Sequence, residues 1–429
     1  MPLAIFDRLE SEVRSYVRSY PTVFARAVGS HITNEDGREY LDFFAGAGSL
    51  NYGHNHPTLK AALIEYLQAD GILHGLDMAT QAKREFMETF ERTILKPRRL
   101  DYKMQFTGPT GTNAVEAALK LARQVKSRNN ILCFTNAFHG VTTGSVAATG
   151  SSKFRDATGA SLTDTQFVPY ANYYGRDVNT LNLIEKQLSD PGSGMDAPAA
   201  VLVECIQGEG GINTASADWL RGLASLCRRH DMLLIVDDIQ MGCGRTGSFF
   251  SFEQAGINPD IVTLSKSISG YGLPMALVLI KPEYDIWAPS AHNGTFRGNN
   301  AAFVTATAAL NTFWADNSFA DDVRVKGRLL HQRLEHMRKR HPHITALRGR
   351  GMVAGIVLEN SEMADAVSER CFEQGLIIET CGPHGEVVKM LPPLIMSEAD
   401  LEKGLQIFDE ALTHARRTLA PAVVEEISA

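Results

Sequence analysis

Apolar residues in the middle of the chain form short continuous runs, separated by segments in which apolar residues recur every three or four positions. The runs occupy residues 131–135, 200–204, 233–237, 261–264 and 276–280. Continuous apolarity predicts strands that are covered on both faces, as in a mostly parallel sheet between helices. The segments 114–126 and 218–229 have the spacing of amphipathic helices. The pattern therefore predicts a large doubly wound α/β domain.

The pattern changes after about residue 317, where a long charged helix is predicted through residue 340. Short strands around 353–358 and 387–391 and a helix from 398 follow, which indicates a small α+β domain. Near the start, the turn dipeptide Asp36-Gly37 predicts a hairpin in an arm that packs on the small domain. A chain of 429 residues exceeds one ordinary core. We expect three parts: residues 1–59 (arm and part of the small domain), 60–316 (large domain) and 317–429 (C-terminal small domain).

Charge and composition argue against several classes of partner. The formal net charge is -7, and no run of five basic residues occurs, so we expect no nucleic-acid partner. No stretch approaches 18 uninterrupted apolar residues, and residues 1–10 lack a signal-type apolar run, so we expect neither a membrane span nor export. Six cysteines are scattered without a CxxC pair, which favours reduced thiols in a cytoplasmic protein.

A glycine- and threonine-rich turn, residues 107–113, runs into the helix predicted from Ala114. Free backbone N–H groups and the positive end of a helix dipole at such a turn suit a phosphate group. The turn matches neither GxGxxG nor a P-loop. An ordinary helix start capped by Thr110 or Thr112 is the alternative.

Two carboxylates and an amide, Asp237, Asp238 and Gln240, follow the apolar strand that begins at Leu233. The carboxyl ends of strands form the ligand crevice of an α/β sheet. Because successive strand residues face opposite sides, at most one of the two aspartates points at a given ligand. A buried carboxylate there would pair with a cation, for example a protonated pyridine nitrogen. Alternatively, both aspartates cap a helix or face solvent.

Lys266 lies two residues after the apolar run 261–264 and four residues before Gly270. Most lysines are solvated surface charges, but the flanks of this one are apolar and glycine-rich. A lysine in a partly desolvated pocket has a lowered pKa and can form Schiff bases. His54 and His56 lack further ligands at metal-binding spacing, so we interpret them as turn and packing residues and expect no metal site.

Taken in order, several motifs resemble the class III aminotransferases of fold type I, which depend on pyridoxal phosphate (PLP). The resemblance covers nearly the whole chain and rests on the turn at 107–113, Phe138-His139-Gly140, and the segments 204–211, 237–240, 242–247, 259–266 and 294–296. It implies a large mostly parallel-sheet domain with a smaller α+β domain. It also implies that Lys266 forms the Schiff base with PLP and shuttles a proton, and that Asp237 keeps the pyridine nitrogen protonated.

The resemblance implies further contacts with the cofactor. Phe138, beside His139, would stack on the ring, and Gln240 would contact the ring hydroxyl. The N–H groups of Gly111 and Thr112 would bind the phosphate. Thr295 would reach the phosphate held by the other subunit, which implies a homodimer with shared active sites.

Within the family, the stretches 46–54, 107–116 and 292–300 most resemble enzymes that begin ectoine synthesis. The resemblance implies amino transfer from L-glutamate to L-aspartate 4-semialdehyde, which gives L-2,4-diaminobutyrate and 2-oxoglutarate. Alternatives are an ornithine or 4-aminobutyrate aminotransferase, diaminobutyrate supply for a siderophore, an intramolecular aminomutase, and a nucleotide-binding module without chemistry.

Two positions depart from the family pattern. Val141 stands where many relatives have an arginine, and Lys389 stands where relatives have another arginine before the Pro-Pro pair. A lysine offers a point charge instead of a bidentate fork. We hypothesise that Arg297 supplies part of the lost carboxylate binding. By analogy with the family, Glu209 would pair with Lys389 and release it in one half-reaction; a purely structural ion pair is the alternative.

Overall fold

The structure, a computed structural model, describes residues 3–419. The ends of the first and last predicted domains, residues 1–2 and 420–429, lie outside the described residues. The strands are β1 (Phe24–Val28), β2 (His31–Asn34), β3 (Glu39–Asp42), β4 (Lys103–Phe106), β5 (Ile131–Phe134), β6 (Thr165–Val168), β7 (Ala200–Val203), β8 (Ile206–Gln207), β9 (Asn213–Thr214), β10 (Leu233–Asp237), β11 (Ile261–Leu264), β12 (Leu277–Ile280), β13 (Ile344–Arg350), β14 (Val353–Leu358), β15 (Leu376–Ile377), β16 (Glu379–Cys381) and β17 (Val387–Met390).

The α-helices are α1 (Ala4–Leu9), α2 (Tyr16–Ser19), α3 (Ala45–Gly48), α4 (Pro57–Gln68), α5 (Gln81–Phe90), α6 (Lys96–Arg98), α7 (Gly111–Lys126), α8 (Thr143–Ala147), α9 (Ser152–Asp156), α10 (Thr180–Ser189), α11 (Ala217–Arg229), α12 (Asn300–Phe313), α13 (Ser318–Arg340), α14 (Ser361–Glu373) and α15 (Glu398–Leu419). A π-helical turn spans Glu91–Leu95, and 3-10 turns span Glu253–Ala255, Lys266–Ser269 and Pro282–Tyr284. Among the helices of the described residues, none combines the length and the apolarity that crossing a bilayer requires.

A seven-stranded sheet in the order β4-β12-β11-β10-β7-β5-β6 forms the centre of the molecule. Only β12 runs antiparallel to its neighbours. The carboxyl ends of β4, β5, β7, β10 and β11 therefore meet at the same edge of the sheet, where ligands of open α/β sheets bind.

Alternate residues of each central strand enter different apolar cores. Leu234 and Val236 of β10 belong to one core, and Leu233 and Ile235 belong to the core on the opposite face. This is the reason for the continuous apolar runs, because both faces of the sheet are covered. A side chain at a strand's end leaves these cores and faces the sheet edge.

Two four-stranded sheets lie outside the central one. The antiparallel sheet β13-β14-β17-β16 is formed by the C-terminal part of the chain, and the other has the order β1-β2-β3-β15. In the latter, β3 pairs in parallel with β15, which joins the N-terminal arm to the C-terminal part. The turn between β2 and β3 contains Gly37 at φ 82°, as its hairpin requires. The domain limits at 59/60 and 316/317 stay a prediction.

Candidate active site

A cavity of about 180 Å³ lies at the carboxyl edge of the central sheet. It is lined by Gly111, Thr112, Phe138, His139, Gly140, Glu204, Glu209, Asp237, Ile239, Gln240, Met241 and Lys266. These residues lie at, or in the segments after, the carboxyl ends of five strands of the central sheet, β4, β5, β7, β10 and β11. Parallel strands bring the segments together because their carboxyl ends share one edge.

Lys266 lies two residues after Leu264, the last residue of β11, and its backbone has φ 51°. This left-handed conformation is uncommon for a residue with a side chain and is found preferentially at functional sites. Among the hydrogen bonds of the described residues, none involves the Lys266 ammonium group. Burial lowers the pKa of Lys266, although the charge of Glu209 acts in the opposite direction. A larger neutral fraction makes the amine a better nucleophile.

Asp237 and His139 form a buried pair beside the cavity. The Nδ1 atom of His139 lies 2.7 Å from Oδ2 of Asp237. The other carboxylate oxygen accepts hydrogen bonds from Thr263 Oγ1 and Ile239 N, both at 3.2 Å. Burial opposes charging of His139, but the hydrogen bond and charge of Asp237 outweigh it and raise the histidine's pKa. Asp237 is therefore held in a fixed orientation, and its negative charge favours a cationic group beside it.

The cavity contains the N-terminal end of α7. This helix begins at Gly111, three residues before the predicted start, and Thr110 at its N-cap position makes no side-chain capping bond. Across the described part of the chain, the N–H groups of Gly111 and Thr112 donate no hydrogen bond. A Cβ atom on Gly111 would lie 2.9 Å from Ile239 Cδ1. The turn thus presents free donors at a helix N-terminus, which suits an anion.

Gln240 and Glu209 form the opposite wall. The amide nitrogen of Gln240 donates to Ala47 O and to Glu209 Oε1, both at 3.1 Å, while its Oε1 atom is buried without a partner among the described residues. Glu209 Oε1 also lies 2.7 Å from the Nζ atom of Lys389, which is fully buried. Burial opposes ionisation of Glu209, but Lys389 and Lys266 lower its pKa to about 2.

Glu204 holds two segments of the cavity wall in place. Its carboxylate accepts hydrogen bonds from the N–H groups of Phe138 and Gly208, each at 3.0 Å. The ring of Phe138 also packs at 5.1 Å from the ring of Phe154. Glu204 therefore positions the aromatic residue that was predicted to stack on the cofactor.

Thr295 and Arg297 do not line the cavity of their own chain. Thr295 is exposed, and Phe296 beside it is 65% exposed. Arg297 forms an ion pair of 2.5 Å with Asp77. Asp77 lines a larger surface cleft of about 780 Å³, which contains none of the cavity residues. The structure thus separates these two predicted site residues from the others.

Sequence reasoning missed three residues near the site. Glu204 follows an apolar strand just as Asp237 does, so the same signal could have found it. Glu379 lies 2.9 Å from Lys389 Nζ, and Tyr16 lies near Glu379. No spacing along the chain relates these two to Lys389, because only the tertiary structure brings the three together.

The cavity residues fit pyridoxal phosphate in their chemistry. An unbonded lysine amine suits its aldehyde, the free N–H groups of α7 suit its phosphate, and the buried Asp237 suits a protonated ring nitrogen. The unpartnered Oε1 of Gln240 can accept a hydrogen bond from a ring hydroxyl. At Gly140, where φ is 119°, a Cβ would lie 2.6 Å from Thr112 Oγ1, so the wall there is closely packed.

Residues 14–412 match the family described as aminotransferase class-III. A diaminobutyrate--2-oxoglutarate transaminase of Bordetella parapertussis is 58% identical over 98% of this chain and 98% of that protein. Enzymes of the same name from Streptomyces coelicolor (58% identical; 96% of this chain, 97% of that protein) and Halomonas elongata (54%; 97% and 100%) are also similar.

Solved structures share the fold. Ornithine aminotransferase from Toxoplasma gondii superposes with a TM-score of 0.84 at 25% identity, covering 97% of this chain and 95% of that one. A further structure of that enzyme has PLP partially occupying its active site. An S-selective transaminase from Arthrobacter sp. gives a TM-score of 0.87 at 21% identity, over 97% and 98% of the two chains. The predicted α/β fold of type I is confirmed.

Proposed function

The chain belongs to the class-III aminotransferase family and depends on PLP, and on that premise we propose that it transfers the amino group of L-glutamate to L-aspartate 4-semialdehyde. The products are L-2,4-diaminobutyrate and 2-oxoglutarate. The observation that carries this choice of substrates is the 58% identity, over 98% of both chains, to an enzyme named for diaminobutyrate and 2-oxoglutarate.

Lys266 is the proposed catalytic residue. Its amine projects from a left-handed backbone position, is free of hydrogen bonds within the described residues, and has a pKa lowered by burial. In this proposal it binds the cofactor covalently and then accepts and returns a proton at Nζ. PLP, when bound, supplies an electron sink for the carbanion that proton removal leaves on the substrate.

The other residues orient the cofactor and stabilise its charges. Asp237, held by His139, would pair with the ring nitrogen through a charge-assisted hydrogen bond. Gly111 and Thr112 would bind the phosphate through their N–H groups, Phe138 would cover one face of the ring, and Gln240 would accept from its hydroxyl. A fixed arrangement of this kind lowers the barrier because the groups need not reorganise during the reaction.

Substrate carboxylates would be bound by Lys389 and Arg297. The 2.7 Å ion pair between Lys389 and Glu209 supports a role in which Glu209 neutralises the lysine for one substrate and releases it for the other. Arg297 pairs with Asp77 in its own chain, so we propose that it acts in the active site of a partner subunit.

We propose a homodimer with shared active sites. Exposed apolar residues cluster where the loop of Phe296 meets a neighbouring segment, and they include Ile72, Leu73, Leu76 and Met78. The two segments are joined by the hydrogen bond from Gly75 N to Gly298 O at 2.8 Å. An apolar patch of this kind is typical of an interface.

Sedimentation should give twice the chain mass, and Thr295→Val should weaken PLP binding without dissociating the dimer.

A substrate panel tests the proposed reaction. With glutamate as donor, the purified holoenzyme should use aspartate 4-semialdehyde with a kcat/KM at least about tenfold above those for glutamate and succinate semialdehydes, the acceptors of ornithine and 4-aminobutyrate enzymes. A difference of about 1.4 kcal/mol in transition-state binding is enough for that ratio. A preference for either competing semialdehyde would overturn the assignment, and turnover without glutamate would indicate a mutase instead.

The covalent role of Lys266 has a separate test. Borohydride reduction of the holoenzyme, followed by proteolysis and mass spectrometry, should place the cofactor on the peptide that contains Lys266. Lys266→Ala should abolish this label and the visible absorbance. A label on any other lysine would contradict the assignment.

We further propose that the diaminobutyrate enters ectoine synthesis and that the enzyme works in the cytoplasm, where its six unpaired, buried cysteines stay reduced. Deletion of the gene should abolish growth at high salinity, and added ectoine should restore it. Loss of growth only under iron limitation would favour a siderophore route.

A further inference from the structure

Lys389 lies between two carboxylates, and only one of them has a role in the proposed reaction. Its Nζ atom is 2.7 Å from Glu209 Oε1 and 2.9 Å from Glu379 Oε1. Glu379 on β16 is the direct cross-strand partner of Lys389 on β17, so the two side chains share one face of the sheet. The group contains one more carboxylate than it has ammonium groups.

The two carboxylates differ in how well they are satisfied. Glu209 accepts hydrogen bonds from both Lys389 and Gln240. Glu379 is 8% exposed, and its buried Oε1 atom has no hydrogen-bond partner among the described residues, although Lys389 Nζ lies 2.9 Å away. A buried carboxylate has several free acceptor sites and is costly to leave unpaired. Glu379 therefore has acceptor capacity for a second cationic donor.

Charge effects in this group agree with the hydrogen bonding. Burial raises the pKa of Glu379 to about 7, even though Lys389 acts to lower it. Tyr16 of α2 lies close to both glutamates, and burial together with the charges of Glu379 and Glu209 raises its pKa. Lys266 is also close enough to be influenced by Glu209, Lys389 and Glu379. The charges of Glu209, Glu379 and Lys389 therefore act on the amine of Lys266.

We propose that Glu379, assisted by the hydroxyl of Tyr16, binds the α-ammonium group of the amino-aldehyde and diamine substrates and so determines specificity. The inference rests on the proposed function. Aspartate 4-semialdehyde and 2,4-diaminobutyrate react at C4 and carry an ammonium and a carboxylate at the far end. Lys389 would take the carboxylate, and Glu379 would take the ammonium. Glutamate reacts through its own α-amino group and presents only a carboxylate at its far end.

A matched pair of substrates isolates this contact. 4-Aminobutyrate has the same carbon chain, carboxylate and reacting amine as 2,4-diaminobutyrate, and lacks only the 2-ammonium group. The half-reaction of the holoenzyme with each amine, followed by the change in cofactor absorbance, gives a specificity ratio. Wild-type enzyme should prefer 2,4-diaminobutyrate, and Glu379→Gln should lower its kcat/KM by about 10- to 100-fold, the value of one charge-assisted hydrogen bond. The values for 4-aminobutyrate and glutamate should not fall.

Two controls separate this effect from general damage. Glu373→Gln makes the same chemical change at an exposed ion pair on α14 and should leave all three values unchanged. Tyr16→Phe changes a half-exposed side chain and should lower kcat/KM for 2,4-diaminobutyrate alone, by a smaller factor of about 3- to 10-fold. If Glu379→Gln fails to fold, this variant tests the α-ammonium site instead.

The outcomes distinguish the two proposals. If the wild-type enzyme prefers 4-aminobutyrate or ornithine, the proposed function fails. If it prefers 2,4-diaminobutyrate and the preference persists in both Glu379→Gln and Tyr16→Phe, only the α-ammonium site is overturned. Equal losses with diaminobutyrate, 4-aminobutyrate and glutamate would show that Glu379 is merely structural.

Discussion

Neighbouring aspartates at the end of β10 have different surroundings because of the strand's geometry. Asp237 faces the cavity and pairs with His139 at 2.7 Å. Asp238 faces the other way and accepts the N–H of Ser251 at 3.0 Å. Since successive side chains of a strand alternate in direction, the same residue type is placed in two environments one position apart. Only Asp237 can act on a ligand in the cavity.

Replacing each aspartate by asparagine should separate catalysis from folding. Asp237→Asn keeps the volume but removes the charge, so kcat should fall by about 10²- to 10³-fold, as for the loss of one preorganised electrostatic group. Asp238→Asn is the matched control and should retain kcat. Turnover and thermal unfolding would both be measured, and an equal loss of stability and activity in Asp237→Asn would mean that the residue is structural.

Arg297 offers a second prediction for a single residue. If it binds a substrate carboxylate in the partner's site, Arg297→Ala should raise the KM for glutamate about tenfold or more, since hydrogen bonds to charged groups contribute about 1.5–3 kcal/mol. Asp77→Asn is the control, because it removes the ion-pair partner but leaves the guanidinium group. An unchanged KM for glutamate in Arg297→Ala would refute the role.

Helix starts in this protein are of two kinds. At α11, the Ser216 side chain accepts the N–H of Trp219 at 3.1 Å and caps the helix. At α7, Thr110 makes no such bond, and the first N–H groups have no acceptor among the described residues. Unsatisfied N–H groups at a helix start require another partner. The start of α7 can therefore bind an anion through its free N–H groups, whereas at α11 the Ser216 side chain already accepts the N–H of Trp219.

Adding a methyl group at Gly111, the first residue of α7, should weaken cofactor binding. In Gly111→Ala the new methyl group would lie 2.9 Å from Cδ1 and 3.3 Å from Cγ2 of Ile239, another residue of the cavity wall, so either that side chain or the turn must shift at the phosphate site. We expect the Kd for PLP, measured by fluorescence titration of the apoenzyme, to rise about tenfold or more. Gly192→Ala changes a glycine whose Cβ would approach only a flexible side chain, Asp190, and should leave this Kd unchanged.

Across the whole molecule, buried polar groups join the central sheet to the other parts. Arg245 is fully buried, and its guanidinium group donates to Met352 O, Pro392 O and the Asn51 side chain. These partners come from the C-terminal part and from the N-terminal region. One side chain thus links three distant segments of the chain, and burial lowers the pKa of Arg245 to about 9.

The stability of the whole molecule should depend on Asp238 in a defined pH range. Burial raises the pKa of Asp238 from 3.8 to about 7, so between these values the folded state holds a proton that the unfolded state releases. Raising the pH through this range therefore favours unfolding through this group. Relative to wild type, Asp238→Asn should gain stability from pH 4 to pH 7, by at most about 1.4 kcal/mol per pH unit.

Urea unfolding at several pH values gives the measurement. The difference in unfolding free energy should level off outside this range, and Asp36→Asn in the exposed hairpin turn should show no such slope. A difference that stays constant from pH 4 to pH 7 would contradict the raised pKa.

The sequence by itself determined the α/β fold, the family and the cofactor class, because these depend on patterns within single segments. A run such as 261–264 followed by Lys266 contains both the strand and the residue at its end, and the predicted fold, aminotransferase activity and PLP dependence are confirmed. The roles of individual residues at the cavity stay predictions.

Only the tertiary structure decided that Glu379 and Tyr16 lie around Lys389, whereas its pairing with Glu209 was expected from the family resemblance. Glu209, Glu379 and Tyr16 belong to three segments far apart in the chain, and none of them carries a spacing that relates it to the others. The tertiary structure likewise moved Arg297 away from its own chain's cavity and into an ion pair with Asp77. Local periodicity reflects which face of an element is buried, whereas charge partners are set by how the elements pack, and that information is not contained in any one segment.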